Sequence, residues 1–307
     1  MPDNKKIKRG AVAQALAAYF LSLRVGQPID SVRALAEKYQ ASIGLISENI
    51  SALEANGAIA IERHGQRGSL LTGQNPGLLW KGAVSDPLVI AHTLPSNRRY
   101  EGLAGALKHA FSQLGIETYF TFIRGSCTRL KALRAGRCHI AIMSQFAAEG
   151  MATTREQIAA VLPEGTFVKS HRVYFRNPVQ PDKPGLTAAM DPDSFDQAEI
   201  SRMEFGGQEI KFSPINFMNI HRYLQDNQVD LAIWTEEDFS SQLGKVIGAR
   251  ALSAATEEIL QKRNTRAALL VQANDEATFQ LVTKMINDED ITTYQQEVIT
   301  GMRIPEY

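Results

Sequence analysis

The stretch that decides the fold at the N-terminus runs from Arg33 to Leu71 and reads RALAEKYQASIGLISENISALEANGAIAIERHGQRGSLL. Apolar residues recur at helical spacing on both sides of a polar break at 40–42, which predicts two helices joined by a tight turn. Ser42 can cap the second helix, and Gly57 can take the left-handed conformation at which that helix ends. The alternating residues and the Gly-rich tip that follow predict a two-stranded ribbon. This order is the outline of a winged helix-turn-helix.

The residues before this stretch allow two interpretations. A basic run at 5–9 followed by an apolar segment at 11–23 has the order of a secretory signal peptide. However, Asp3 precedes the basic run, Gln14 interrupts the apolar segment, and no small-x-small cleavage site follows. The apolar positions from Val12 to Leu23 share one helical face. We therefore favour an amphipathic first helix that leads into the winged helix-turn-helix of a cytoplasmic protein.

The helix that begins after Ser42 suits the major groove of double-stranded DNA, because residues at the N-terminal end of such a helix reach base edges. The glycine-rich tip and its arginines can approach phosphates. Residues 1–75 hold nine Lys and Arg against six Asp and Glu, a net charge of +3 in a chain that is neutral overall. The alternative is a helical bundle used only for protein contact. The residues predicted to face DNA are Arg33, Ser42, Ile43, Gly44, Ser47, Arg63, Arg67 and Gly68.

This N-terminal segment resembles the GntR class of bacterial regulators. The matching positions are Leu35-Ala36-Glu37, Ser42, Ile46, Leu53, Gly57-Ala58-Ile59 and Gly65-Gln66-Arg67-Gly68-Ser69. Two positions depart, because the family carries Arg just after the capping Ser and again four residues later, where this chain has Ile43 and Ser47. The family's base and phosphate contacts therefore cannot be carried over as a set. We expect DNA affinity to depend on Arg63, Arg67, Arg33 and the basic N-terminal arm.

Length and composition predict two domains, since the chain has 307 residues of which 44% are hydrophobic. We assign the winged helix-turn-helix to 1–75 and a Gly- and Pro-containing linker to 76–86. Residues 87–307 alternate strand and helix, which predicts an α/β domain with a mainly parallel sheet. No stretch reaches the ~18 apolar residues of a membrane span. Cys127 and Cys138 lie outside any metal-binding or redox spacing and are predicted to be reduced.

A pattern recurs within the second domain. The segments 133–144 and 224–235 each end a helix at a residue able to take the left-handed conformation, Gly136 or Asn227, and then enter an apolar strand. Both strands end in a small hydroxyl residue. The recurrence can be a chance echo, because helix–turn–strand units are common, or it can mark two similar α/β lobes. On the second interpretation, lobe 1 is assigned to 87–165 with 266–307 and lobe 2 to 166–265.

Two lobes of this kind resemble the type II periplasmic-binding-protein fold, which bacterial regulators use in the cytoplasm as an effector-sensing domain. A winged helix-turn-helix followed by such a lobe pair resembles the YhfZ-type transcriptional regulators across nearly the whole chain. The resemblance implies a fold and a regulatory role, and it names no ligand. In many proteins of this fold the strand position held here by His139 is acidic. The first repeat departs from that pattern, whereas Asp230 in the second keeps it.

A ligand in this fold lies between the lobes, near strand carboxyl ends and helix N-termini, where backbone N–H groups favour an anion. We therefore predict a small anionic effector. Some candidates, including Ser126, Thr128 and Asn219, can equally be plain helix caps, and Arg98 beside Arg99 can be a solvated pair. The predicted ligand-binding residues are Ser96, Asn97, Arg98, Tyr100, Arg124, Ser126, Thr128, Ser144, Asn216, Asn219, Trp234 and Thr235.

Enzyme signatures are missing from the sequence. The six histidines have no metal-ligand spacing, and there is no phosphate-binding loop, dinucleotide fingerprint or nucleophile elbow. No metal and no cofactor is predicted. Three functions stay open: a ligand-responsive regulator that binds a palindromic operator as a homodimer, an enzyme or solute-binding protein, and a regulator whose second domain only dimerises. The first is our leading prediction, with DNA and a small effector as partners.

Overall fold

The computed structural model of the chain describes residues 9–65, 68–84, 87–176, 178–179, 181–236 and 247–307. Its helices are α1 (Arg9–Ser22), α2 (Val32–Lys38), α3 (Ile43–Ala55), α4 (Pro76–Ala83), α5 (Arg98–Gln113), α6 (Ser126–Arg134), α7 (Gln145–Met151), α8 (Phe195–Phe205), α9 (Ile220–Gln225), α10 (Ala254–Leu260), α11 (Glu276–Met285) and α12 (Asp288–Ile299), with a 3-10 turn at Phe217–Asn219. Its strands are β1 (Pro28–Ile29), β2 (Ile59–Arg63), β3 (Ser69–Gln74), β4 (Leu88–His92), β5 (Thr118–Phe122), β6 (Ile140–Ser144), β7 (Glu156–Val161), β8 (His171–Arg176), β9 (Thr187–Met190), β10 (Lys211–Pro214), β11 (Leu231–Thr235), β12 (Ile247–Ala251) and β13 (Ala267–Gln272).

Two compact units make up the chain. The first holds the described residues up to Leu88 together with His109–Tyr119 and Asn274–Ile286. The second holds Val89–Lys108, Phe120–Ala273 and Asn287–Tyr307.

The first unit contains the winged helix-turn-helix, which confirms the prediction. Ser31 and Ser42 cap α2 and α3, because their hydroxyl oxygens accept hydrogen bonds from the backbone N–H groups of Ala34 (3.1 Å) and Leu45 (3.2 Å). Gln40, in the turn between these helices, takes a left-handed conformation with φ of 50°. Strands β1, β2 and β3 form an antiparallel sheet in the order β1-β3-β2, so the wing is the β2–β3 hairpin.

Most of the segment 76–86, which is predicted from the sequence to be a linker, forms helix α4. Asn75 caps this helix by accepting a hydrogen bond from a first-turn N–H group (3.1 Å). Pro76 occupies the first turn, where its missing N–H group has no consequence. Leu79 and Trp80 are buried, and α4 packs on α1. The Pro residue that suggests a loop in the sequence therefore starts a helix.

Helix α11 also packs on α1, so the first unit includes residues from near the end of the chain. Leu281 and Val282 of α11 are fully buried, as are Leu16 and Phe20 of α1. The predicted division of the chain differs, because it groups all of 266–307 with lobe 1. Helical periodicity reveals that α11 has an apolar face, but it does not say which surface that face covers.

Most of the second unit consists of two lobes, each built on a five-stranded sheet. The strand order is β5-β4-β6-β13-β7 in lobe 1 and β10-β9-β11-β8-β12 in lobe 2. In each lobe two neighbouring strands of the sheet run parallel, namely β4 with β6 in lobe 1 and β9 with β11 in lobe 2. Strand β13 then joins β6, and β8 joins β11, in antiparallel orientation. The α/β fold is confirmed, but the sheets are mixed where the sequence predicts mainly parallel ones.

The recurring sequence pattern matches equivalent positions of the two lobes. Strands β6 and β11 end the two segments, and each is the third strand in the order of its own sheet. Gly136 (φ 66°) and Asn227 (φ 57°) both take the left-handed conformation that the pattern predicts. In open α/β sheets, ligands bind beyond the carboxyl ends of such central strands. The two lobes therefore each present one candidate edge for a ligand.

Candidate functional site

The candidate DNA-reading surface is the outer face of α3. Gly44 and Ser47 are exposed, and Ile43 in the first turn is 56% exposed. Ile46 and Ile50, on the opposite face of the helix, are buried. The predicted reading residues of this helix thus share one accessible face at its N-terminal end, which is the end that reaches bases in helix-turn-helix proteins.

Two of the predicted DNA-facing arginines are held by carboxylates of their own unit. Arg63 of β2 makes two hydrogen bonds to Glu54 of α3, one of them 3.0 Å long, and Arg33 lies 3.6 Å from the carboxylate one turn along α2. Exposed ion pairs of this kind contribute only ~0–1 kcal/mol, so a phosphate group can compete for either guanidinium. Gly68 lies at the wing tip with φ of 91°. Arg67, also predicted to face DNA, lies outside the described residues.

The candidate ligand site is a cleft between lobe 1 and lobe 2, with a cavity volume of about 40 Å³. Both lobes contribute to the lining. The cleft is lined by Thr93, Leu94, Ser96, Tyr100, Gly125, Ser126, Arg129, Phe167, Val168, His171, Ser194, Asp196, Gln197, Phe217, Trp234 and Thr235.

Two helix N-termini meet at this cleft, one from each lobe. Helix α6 follows Gly125 and helix α8 follows Ser194, and neither of these residues makes a side-chain capping bond. The Ser126 hydroxyl oxygen instead accepts a hydrogen bond from the N–H group of Phe195 (3.0 Å), which ties the two helix starts together. Helix N-termini carry partial positive charge. Helix α8 already has Asp196 in its first turn, whereas α6 has no acid there, so the α6 side of the cleft is the one suited to an acidic group.

Arg129 is the buried cation of the cleft, and only 3% of the residue is exposed. Its Nε donates to the carbonyl oxygen of Ile142 (2.6 Å), and its Nη1 donates to that of Ile123 (2.8 Å). No carboxylate of the described residues pairs with this guanidinium, which has further N–H groups to donate. Burial lowers the pKa of Arg129 to about 10, which still leaves the group charged at neutral pH. Its remaining N–H groups are available to a molecule in the cleft.

Asp196, in the first turn of α8, is the buried acid of the cleft, with 6% of the residue exposed. The Ser144 hydroxyl donates to its Oδ1 (2.5 Å), while the Ser144 oxygen caps α7 by accepting the N–H group of Ala147 (2.9 Å). Burial raises the pKa of Asp196 to about 6, although the Ser144 hydrogen bond and the charge of Arg129 act to lower it. The Oδ2 atom of Asp196 accepts no hydrogen bond from the described residues.

Arg124, which is predicted from the sequence to bind the ligand, forms ion pairs within the protein. It forms ion pairs with Asp191 and Asp193 of lobe 2. Its guanidinium carbon also lies 5.7 Å from the ring centre of Phe217. Arg124 does not line the cleft. Its charge is compensated by lobe 2, so this residue joins the two lobes.

Aromatic rings and a neutral histidine complete the lining of the cleft. The rings of Trp234 and Phe217 stack with centroids 4.3 Å apart, and those of Tyr100 and Phe167 lie 5.5 Å apart. His171 Nδ1 is 2.9 Å from the side-chain nitrogen of Asn264. Burial lowers the pKa of His171 to about 4, so its imidazole carries no charge at neutral pH.

The predicted ligand residues divide into two groups. Those that line the cleft are Ser96, Tyr100, Ser126, Trp234 and Thr235. Those that do not are Asn97, Arg98, Arg124, Thr128, Ser144, Asn216 and Asn219. Asn97 and Asn216 are helix caps, since their side-chain oxygens accept the N–H groups of Tyr100 (3.0 Å) and Met218 (3.1 Å). Arg98 lies 3.9 Å from Glu101 on an exposed turn of α5.

Both buried charges of the cleft, Arg129 and Asp196, are missing from the predicted set. An Arg within a helix resembles a solvated surface residue, and an Asp in a first helical turn resembles a plain N-terminal acid. One signal does point to Arg129, because it follows Ser126 by three residues and therefore lies on the same helical face. No local signal points to Asp196, whose partner Ser144 is 52 residues away in sequence.

In the described part of the chain, no helix is long and apolar enough to span a membrane. Across the same described residues, no group of three or more His, Cys, Asp and Glu side chains could hold a metal ion.

Several known proteins are similar to this chain. The YhfZ protein of Escherichia coli K12 is 29% identical over 303 residues, which cover 98% of each chain. The crystal structure of YhfZ from Shigella flexneri has a TM-score of 0.62 and 26% identity, and the match covers 76% of this chain and 98% of that one. The periplasmic VFT2 domain of Bordetella pertussis BvgS shares the fold, with a TM-score of 0.51 and 12% identity over 72% of this chain and 96% of that one.

Two families match the chain along its length. Residues 24–71 match a helix-turn-helix domain family, in agreement with the fold of the first unit. Residues 77–307 match the YhfZ C-terminal domain family, and this match spans most of the chain. The protein therefore belongs to the YhfZ C-terminal domain family, with a helix-turn-helix domain at its N-terminus.

Proposed function

We propose that the protein is a DNA-binding transcriptional regulator of the cytoplasm whose lobe pair senses a small anionic metabolite. The observation that carries the proposal is the buried guanidinium of Arg129, which has N–H groups to spare in a cleft where two helix N-termini meet. An acidic group of a ligand would accept hydrogen bonds from these N–H groups. The helix-turn-helix domain gives the same chain a means to reach DNA.

The DNA-binding half of the proposal is supported by the accessible face of α3 and by the arginines around it. Ile43 and Ser47 replace the arginines of the GntR class, so affinity would depend on Arg33, Arg63 and Arg67 through phosphate contacts. We further propose a homodimer. Two copies related by a two-fold axis would read half-sites about one helical turn of DNA apart, or a multiple of it.

The sensing half of the proposal requires that ligand binding and DNA binding influence one another. A ligand that draws lobe 1 and lobe 2 together would favour one conformation of the dimer. Coupling free energies in such proteins are typically ~1–3 kcal/mol, which corresponds to a change of roughly 5- to 150-fold in operator affinity. A ligand at 100 times its dissociation constant would also stabilise the fold by about 2.7 kcal/mol.

The DNA half is tested by selecting bound fragments of the source genome with the purified full-length protein at near-physiological salt. We expect one or a few sites with two-fold symmetry. Ser47→Glu places a negative charge on the exposed face of α3 and should abolish binding. Thr293→Glu, which also replaces an exposed hydroxyl residue of a helix by Glu, is the matched control on α12 and should bind DNA normally. Equal binding by both variants would mean that α3 does not enter the groove.

The sensing half is tested by thermal unfolding in the presence of small carboxylates and phosphates. We expect at least one to raise the melting temperature of the full-length protein and to change its operator affinity. Arg129→Met should remove both effects, whereas Arg98→Met, at an exposed position outside the cleft, should keep them. Retention of both effects in Arg129→Met would exclude this guanidinium as the anion-binding group. Operator binding by Arg129→Met in the absence of ligand would verify that this variant is folded.

A further inference from the structure

The cleft contains a second buried charged group, the carboxylate of Asp196. We propose that the ligand is amphoteric, with an acidic group that binds Arg129 and a protonated amine that binds Asp196. This inference rests on the proposed function, because it concerns the same ligand in the same cleft. It narrows the ligand class from small anions to small amino acids and molecules of similar chemistry.

The charge balance of the cleft supports this class. Among the described residues that line the cleft, Arg129 and Asp196 are the charged side chains, and both are more than nine-tenths buried. Arg129 and Asp196 already act on one another as opposite charges, so a simple anion would leave the cleft with excess negative charge beside Asp196. Unpaired buried charge is strongly destabilising. A ligand with one positive and one negative group gives each buried side chain an opposite partner.

Hydrogen bonding leads to the same conclusion. The carboxylate of Asp196 accepts one hydrogen bond, at Oδ1 from Ser144, and its Oδ2 accepts none from the described residues. An ionised carboxylate has about four acceptor positions, so Asp196 can accept further hydrogen bonds from a ligand. An ammonium group has donors alone and therefore complements this oxygen. A second carboxylate or a phosphate would repel it.

The fold holds the two charged residues at neighbouring helix starts. Arg129 lies one turn into α6, which begins at Ser126, and Asp196 directly follows Phe195 of α8. The hydrogen bond from Phe195 N–H to the Ser126 hydroxyl oxygen joins these two starts at 3.0 Å. A small molecule that reaches both side chains would therefore bind lobe 1 through Arg129 and lobe 2 through Asp196. The same contacts would select the ligand and hold the lobes together.

The test compares matched pairs of probes that differ only in the amine: alanine with propionate, aspartate with succinate, glutamate with glutarate, and phenylalanine with 3-phenylpropionate. Binding to the full-length protein is measured by calorimetry at pH 7.5. We expect an amino acid to bind at least tenfold more tightly than its partner. Asp196→Asn should weaken the amino acid by roughly tenfold to a hundredfold, the usual effect of losing a hydrogen bond to a charged group. It should leave the affinity of the matched acid unchanged or higher.

Asp196→Asn keeps the Oδ1 acceptor for Ser144, so the fold should be retained. If this variant does not fold, the affinities of each amino acid and its matched acid for the natural protein are sufficient to test the inference. Tighter binding of the acid than of its matched amino acid would overturn the amphoteric ligand but not the anion sensor. The same would follow if the ratio of the two affinities were equal in the natural protein and in Asp196→Asn. The absence of binding by every probe would overturn the amphoteric ligand, and the carboxylate and phosphate screen would then decide the anion sensor separately. If the acid binds more tightly than its matched amino acid and the complex takes up a proton on binding, Asp196 is protonated and neutral in the complex. That result also overturns the inference.

Discussion

Replacing Arg124 should loosen the lobe pair and leave the ligand-facing groups in place. Asp191 is fully buried, and removing one partner of a buried ion pair typically costs about 3–5 kcal/mol. Asp191 would keep two backbone donors, the N–H groups of Asp193 (2.9 Å) and Phe217 (3.1 Å), which reduces the expected loss to about 2–3 kcal/mol. The pair with Asp193, whose side chain is 39% exposed, adds at most ~1 kcal/mol. We therefore expect Arg124→Ala to lower the free energy of unfolding of the lobe pair by about 2–4 kcal/mol.

Urea unfolding followed by fluorescence measures this change. The chain has two tryptophans, so Trp80→Phe in every variant leaves Trp234 as the reporter. Trp234 stacks on Phe217, the ring beside Arg124. Arg98→Ala is the control, because its exposed pair with Glu101 should contribute less than ~0.5 kcal/mol. If Arg124→Ala and the control unfold at the same midpoint urea concentration, Arg124 does not stabilise the lobe pair. If stability is unchanged but ligand affinity is lost, Arg124 binds the ligand.

Other expected outcomes concern the wing, acid stability and α4. Glu54→Gln should release Arg63 and tighten DNA binding. Arg63→Ala should weaken binding to all DNA sequences and reduce the slope of log affinity against log salt concentration by about one. Equal DNA affinities of the two variants in anisotropy titrations would argue against a phosphate contact. The Arg134 hydrogen bond lowers the pKa of Glu156 from 4.5 to about 2, so stability that is complete above 4.5 should be lost as pH falls towards 2. Arg134→Met should flatten this profile in acid unfolding, and an unchanged profile would contradict the assignment. Leu79→Ala should cost about 2–5 kcal/mol in thermal unfolding, whereas a residue of a flexible linker would change stability by less than ~0.5 kcal/mol.

Local signals explain why the winged helix-turn-helix can be predicted from the sequence. Ser31 and Ser42 cap helices through their own first turns, and Gly57 ends α3 with φ of 77°. Each of these signals acts within a few residues. The lobe pair is predictable for a related reason, since Gly136 and Asn227 mark the same helix-to-strand turn in two sheets. Local structure that depends on a few neighbouring residues can therefore be predicted from the sequence.

The parts that the sequence does not reveal depend on partners far along the chain. Arg124 resembles a ligand residue until Asp191 and Asp193, 67 and 69 residues later, are found to compensate it. Asp196 resembles a surface acid until Ser144 is found against it. Burial decides the role of both charges, and burial is a property of tertiary packing. The structure does have a cleft between the lobes, but the charged residues that line it are not the predicted ones.

The packing of α11 on α1 has a consequence for the order in which the protein is made. Ribosomes add ~5–20 residues per second, so the segment 84–275 between α4 and α11 takes roughly 10–40 s to synthesise. During that interval the apolar face of α1, with Leu16 and Phe20, lacks one of the helices that cover it in the finished chain. The DNA-reading unit is therefore completed only after α11 has been synthesised. A chain terminated before α11 would carry the winged helix-turn-helix without one of the helices that cover α1.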